Sequence, residues 1–257
     1  MFGTMGKPLH AGKAAMNGLL AARWAGSGLT STAGMLESPQ GFGPVLSSGF
    51  QPLPIRNMPE TAFGIERNIY KYHAACYYTH SAIELLANMV RENGIEPDRI
   101  LSLDVGLLPS LHTVCDIRNP VSGLEIKFSI RHLLAMVIAG VNTSDIGSYT
   151  DECAADDALM TLRSKVNVTA ETFESRTASR ITLRLRDGAE YNGELDIGVP
   201  ADNLLEQQDR LSGKFQSLTA PVIGESPSRE LQREILYMDR PTPPAGLFSR
   251  LYTETEE

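Results

Sequence analysis

Residues 179–197 constrain the fold more than any other stretch of the chain. Ile181, Leu183 and Leu185 alternate with Thr182, Arg184 and Arg186; Asp187-Gly188 follows, and Tyr191 and Leu195 lie on the return. Alternation at period two puts the three apolar side chains on one face of a strand and the polar ones on the other. An Asp-Gly pair between two such runs predicts a hairpin, because glycine accepts the positive φ that the favoured two-residue turns require. A hairpin with one apolar face is marginal alone and needs further strands or helices packed on that face.

The flanking segments can supply them. Residues 98–106 alternate and predict a strand, and residues 63–72 predict another. Residues 81–93 predict a helix: Ser81 and Glu84 have capping-box spacing, Ile83, Leu86, Ala87 and Val90 share a face, and Asn93-Gly94 closes it. Residues 123–140 predict one long helix with apolar Leu124, Phe128, Leu133, Ala135 and Met136; residues 155–164, 202–218 and 227–238 also read as helical. Upstream, Ala15, Leu19, Ala22 and Trp24 fall near one face of a helix over 11–26 that Gly26 and Gly28 stop. Residues 31–37 predict a short second helix, and 38–57, rich in Gly, Pro and Ser, a connector. The order describes an α+β chain, an α/β unit with an antiparallel hairpin inserted between helical pieces.

Composition bounds the function. With 42% apolar and 21% charged residues the chain can build a packed core. A net charge of −8 argues against nucleic-acid or anionic-membrane partners, which need a basic face. It leaves room for a small anion held by a few local lysines. Cys76, Cys115 and Cys153 are odd in number and far apart, which fits neither a disulfide framework nor a metal site and suits a reducing compartment. No apolar run reaches signal or membrane-span length, so a soluble cytoplasmic protein is expected.

Two stretches carry chemistry. Lys7-Pro8-Leu9-His10 stands at the mouth of the first helix, where a lysine and the helix dipole together suit an anion; a solvated lysine beside a capping turn is the plainer reading. Lys71 to Ser81 concentrates a cation, His73 and His80, the Cys76 thiol and the phenols of Tyr72, Tyr77 and Tyr78 between a strand and a helix. It reads equally as an active-site loop or as an aromatic packing loop with His80 at the helix mouth. His132, on an apolar helix, reads as a core or interface histidine, and His112 and Tyr191 have no evident role. The residues by themselves suggest a small-anion site and name no reaction.

A resemblance adds to this. Gly3-Thr4-Met5-Gly6-Lys7-Pro8-Leu9-His10-Ala11-Gly12-Lys13-Ala14-Ala15 resembles the signature of the MmgE/PrpD family, the 2-methylcitrate dehydratase and cis-aconitate decarboxylase relatives. Glu37 to Phe42, Lys71 to His80, Glu125-Ile126-Lys127-Phe128-Ser129, Asp187-Gly188 and Lys214-Phe215 are similar to the family's pattern in the same order. The resemblance implies an all-helical domain and a smaller α/β lid: residues 1–50 a helical-domain remnant, 55–200 the lid, and 201–257 helices returning to the helical domain plus a tail. It implies acid/base chemistry on a small di- or tricarboxylate, with neither metal nor organic cofactor. Residue by residue, it implies Lys7 as an active-site lysine and Lys71 as a ligand for substrate carboxylate. Cys76 stands where decarboxylating members have a histidine, and His132 where a tyrosine is common; both positions count as catalytic. It implies His10 and His80 as further substrate contacts. The two departures weigh against decarboxylation and leave dehydration or epimerisation open. The family also has active-site residues ahead of the Lys-Pro-Leu-His run. The chain alone is therefore expected to be inactive, to expose apolar surface, and to work as a homodimer or with a complementing N-terminal chain; a non-catalytic relative is the competing reading.

Overall fold

The computed structural model describes residues 2–51 and 68–236. They fall into two compact units, one holding the described residues between Met5 and Asn68 and the other Phe2–Thr4 with the described residues from Ile69 on.

The first unit holds α1 (Gly6–Gly26) and the short α2 (Phe42–Leu46). Alanines, leucines and a methionine favour the helix of α1 by propensity, yet none of its 21 residues is buried. The short helix expected over 31–37 is a set of turns. Gly34 takes φ 75, and its carbonyl accepts from Glu37 N and Ser38 N, which closes the chain on itself before a helix can propagate. The expected connector contains α2; its residues 52–57 lie outside the described residues.

The second unit is built on a four-stranded sheet of β1 (Ile100–Leu107), β2 (Val166–Ala170), β3 (Ala178–Leu185) and β4 (Glu190–Asp196), in the order β2-β1-β3-β4. β1 runs parallel to β2 and antiparallel to β3; β3 and β4 form the predicted hairpin, with Leu183 opposite Tyr191. Gly188 supplies the turn with φ 89. The architecture is mixed α+β with an antiparallel part, as expected.

One sheet face is apolar: Leu103, Val105, Ile181, Leu183 and Leu185 are all buried. The other carries an ionic ladder in which Arg184 holds Asp104 and Glu190, and Arg180 holds Glu171 and Glu194. This is the division expected of a sheet with one solvated face. Against the apolar face pack α3 (His80–Asn93) and α6 (Ile130–Ile138). Burying each Leu or Ile of this layer contributes about 1.5–3 kcal/mol. Short helices complete the layer: α4 (His112–Cys115), α5 (Gly123–Ile126), α7 (Asp151–Ala154) and α8 (Asp157–Arg163). The antiparallel pair α9 (Leu204–Ile223) and α10 (Glu225–Leu236) follows β4.

Three expectations are corrected here. The single helix over 123–140 is two, α5 and α6. Ser122 caps the first through Glu125 N at 3.3 Å and Ser129 caps the second through His132 N at 3.4 Å, so a new helix starts where the first stops. The strand over 63–72 is absent where it can be seen: residues 68–72 are irregular, and 63–67 lie outside the described residues. The capping box of α3 does not form. The helix begins at His80, one residue earlier, and the side chains of Ser81 and Glu84 are engaged elsewhere.

Candidate functional site

The loop of residues 71–79 that enters α3 is fixed at several points. Ala74 N donates to Thr143 O at 3.0 Å and Cys76 N to Lys127 O at 2.8 Å. Tyr77 OH donates to Ile197 O at 2.8 Å, and Ser81 Oγ donates to Thr177 O at 2.5 Å while accepting from Ile197 N at 3.1 Å. Side chains on this loop therefore stand on a rigid support.

Two imidazoles are buried on it. The His73 ring lies between Thr143 Oγ1, 2.8 Å from Nδ1, and Glu84 Oε1, 3.0 Å from Nε2. Burial pushes the Glu84 carboxyl up, but its hydrogen bonds and charge pairing with His73 and Arg210 outweigh this and hold its pKa at about 2. An ionised carboxylate only accepts, so His73 Nε2 carries the proton. The His80 ring packs edge-on to His73 at 4.9 Å between centroids and against Tyr77 at 5.1 Å. Both its nitrogens are buried with no hydrogen-bond partner among the described residues. Burial first, then the nearby charges of His73, Lys71 and Lys214, lower its pKa to about 3, so the ring is neutral at physiological pH. Buried nitrogens without partners are uncommon and costly, and the Ala75 carbonyl only partly offsets the cost here.

Cations gather around this pair. Lys71 Nζ donates to Ala75 O at 3.0 Å, and Lys214, on α9, donates to the Lys71 carbonyl. Burial, then the charge of Lys71, lowers the pKa of Lys214. Arg210 pairs with Glu84 and lies over the Tyr72 ring, its guanidinium carbon 3.6 Å from the centroid. Beside them opens a cleft of about 370 Å³ lined by Tyr72, Asn142, Asp209, Arg210, Lys214 and Ser217. Two cations set against the one carboxylate of Asp209, with amide and hydroxyl donors and an aromatic face, leave a net positive cleft that suits a small carboxylate ligand.

Of the residues singled out in the sequence, Lys71 and His80 come together in this cluster. Cys76 lies on the same loop but faces the core, 6% exposed. His132, on α6, is fully buried, with Nε2 3.9 Å from Cys153 Sγ and Nδ1 without a partner among the described residues. Burial, then the charge of Arg163, lowers its pKa to about 4. Lys7 and His10 are exposed on α1, in the other unit. His73, which the sequence groups with His80 on the same loop, stands in the cluster as well; Glu84, Arg210 and Lys214 carried no site expectation. One signal was available: Arg210 and Lys214 stand four apart on a predicted helix, the spacing that puts two cations on one face. Glu84 was read as half of a helix cap, which hid its role.

Residues 73–240 match the MmgE/PrpD C-terminal domain, and the chain belongs to the MmgE/PrpD family. It is similar to a cis-aconitate decarboxylase of Aspergillus terreus, 23% identical over 266 residues that cover 94% of this chain and 53% of the relative. The chain thus spans about half the length of that relative. Among the described residues, no helix is long and apolar enough to cross a membrane.

Proposed function

We propose that this chain provides the α+β part of a dehydratase-type lyase acting on a small di- or tricarboxylate. The observation that carries the reading is the meeting of Lys71 and Lys214 beside two buried imidazoles on a braced loop. In this reading Lys71, Lys214 and Arg210 hold substrate carboxylates. Fixed cations stabilise the negative charge that develops when a proton leaves the carbon next to a carboxylate. A base takes that proton, the C–H electron pair becomes the new C=C bond, and the neighbouring hydroxyl leaves as water after an acid protonates it. A bound anion would raise the pKa of His80 from about 3 toward the range in which an imidazole can accept a proton. Family membership extends acid/base roles to Lys7, Cys76 and His132 and a substrate contact to His10, each tested by its own substitution.

The test is calorimetric titration of the full chain with citrate, 2-methylcitrate and cis-aconitate. Binding is expected, weakened roughly 10- to 100-fold in Lys214→Met and in Lys71→Met, with unchanged thermal unfolding showing that the fold survives. Absence of binding to all three sinks the reading. A second reading, of a non-catalytic or complemented subunit, is favoured by α1, whose apolar Leu9, Met16, Leu19 and Trp24 are exposed. Binding without turnover selects it; turnover by the chain alone excludes it.

A further inference from the structure

A second cleft, of about 430 Å³, lies where α6, α8 and β2 meet. It shares no lining residue with the cleft described above. Its wall carries Arg118, Arg131 and Arg163, with Asn119, Ser164 and Asn167 between them, and no carboxylate lines it. The three arginines differ in what they already hold. Arg131 is satisfied: Nε and Nη2 grip Asp116 at 2.7 and 3.3 Å, and Nη1 donates to Val166 O at 2.5 Å. Arg118 and Arg163 have no carboxylate partner among the described residues. Arg163 Nη2 reaches only Asn119 Oδ1 at 3.4 Å, and its Nη1 is buried with no partner among the described residues. Asn167 Nδ2 donates to Asp104 Oδ1 at 3.1 Å, a carboxylate that Arg184 also holds.

This arrangement is unusual for a chain of net charge −8. Turning of the Arg163 guanidinium toward an oxyanion in the cleft would relieve the desolvation cost of its buried Nη1. The plainer account places Arg163 at the end of α8 as a complement to the helix dipole. It explains the sign of one charge, but neither the orphaned Nη1 nor the convergence of Arg118 and the Asn119 amide on the same cleft. Arginine forks with amide donors match a tetrahedral or planar oxyanion through paired N–H donors.

We infer that the cleft between Arg118 and Arg163 is a second anion-binding site, for a small ligand presenting a phosphate or carboxylate group. The Asn119 amide orients that group, and Arg131, held by Asp116, forms the fixed floor. The site stands apart from the carboxylate-binding role proposed for Lys71 and Lys214, and the two fail separately.

The experiment is calorimetric titration of the full chain with inorganic phosphate at low salt. Saturable binding in the millimolar range or tighter is expected. Arg163→Gln and Arg118→Gln should each weaken it roughly 10- to 100-fold, and Lys214→Met should leave it unchanged. Arg118 is exposed, so its substitution tests the site even where Arg163→Gln perturbs packing. Titration of Lys214→Met with citrate then separates the ligand classes. Heat that depends on Arg163 extends the site to carboxylates, and its absence restricts the site to phosphate. No saturable phosphate binding, binding untouched in both arginine variants, or loss of phosphate binding with Lys214→Met would overturn the inference.

Discussion

Helices α1 and α6 show two different sources of helical structure. In α6, seven of nine residues are buried, among them Leu133, Leu134 and Met136 with no exposed surface. In α1, none of 21 residues is buried, and Leu9, Leu19 and Trp24 are each more than half exposed. The larger apolar residues of α1, Leu9, Met16, Leu19, Leu20 and Trp24, fall within one broad stripe, and the face opposite is mostly alanine and glycine rather than polar. Propensity alone makes a helix of α1, whereas packing holds α6. Isolated helices are marginal in water whatever their propensity, and a helix that is apolar all round is normally one that is covered. The fold of the second unit is therefore self-supporting at its core, and α1 is a segment whose stability depends on whatever buries it.

The sharpest way to break this contrast is to remove the same side chain from both helices. Leu134→Ala in α6 should cost about 2–5 kcal/mol, through lost burial and the cavity left behind. Leu19→Ala in α1 should change stability by roughly 0.5 kcal/mol or less. Chemical denaturation of the two variants, followed by circular dichroism, measures both. Equal losses would mean that α1 is packed in solution after all.

Acid should act next most strongly, and on the second unit. His80 and His132 have folded pKa values lowered to about 3 and about 4, from an ordinary 6.5. Their contribution to stability is fully present above 6.5. Below that value the unfolded chain takes up protons that the folded chain refuses, and stability falls as the pH drops toward the folded values. Glu84, held at about 2 against an ordinary 4.5, works in the same direction lower down: its contribution is present above 4.5 and is lost as the pH falls toward 2. The expected loss is on the order of a few kcal/mol between near-neutral pH and the folded histidine values. It should appear as faster hydrogen exchange at the α6 amides. His80→Leu should flatten part of the profile; a profile identical to wild type would show that the ring is not held neutral.

The same contrast explains what the sequence made legible. The hairpin could be read because alternation at Ile181, Leu183 and Leu185 and the Asp187-Gly188 turn are local signals, each sufficient to fix a face and a register. α3 could be read from one apolar face, although its start was placed one residue late. The break between α5 and α6 was missed because Phe128 and Leu133 continue an apolar run across it. The interruption is signalled by Ser122 and Ser129, two caps seven residues apart. β2 was missed because it is a short edge strand whose pairing with β1 is parallel and non-local. The site was half legible. Lys71, His73 and His80 lie on one short loop, but Glu84, Arg210 and Lys214 reach it from α3 and α9, and contact between residues 71 and 214 depends on tertiary structure alone. Lys7 and His10, expected from their place at the helix mouth and from the motif, stand in the other unit.

The smallest effect should come from the face of the sheet that the packing argument leaves out. Arg184 lies on β3 next to Leu183, but its side chain joins Asp104 and Glu190 on the solvated face, and all three side chains are substantially exposed. Ion pairs in that setting contribute little, because water screens the attraction and long side chains lose freedom to make it. Arg184→Ala should therefore cost less than about 1 kcal/mol. What it does cost should shrink further as salt is raised, since exposed charges are screened over a Debye length. Leu183→Ala, one residue away on the buried face, should cost several times more, with little salt dependence. Denaturation of both variants at low and high salt makes the comparison on adjacent residues of a single strand. A large, salt-insensitive loss for Arg184→Ala would mean that its network with Asp104 and Glu190 is shielded from solvent, and that burial divides the two faces of this sheet less cleanly than it divides α1 from α6.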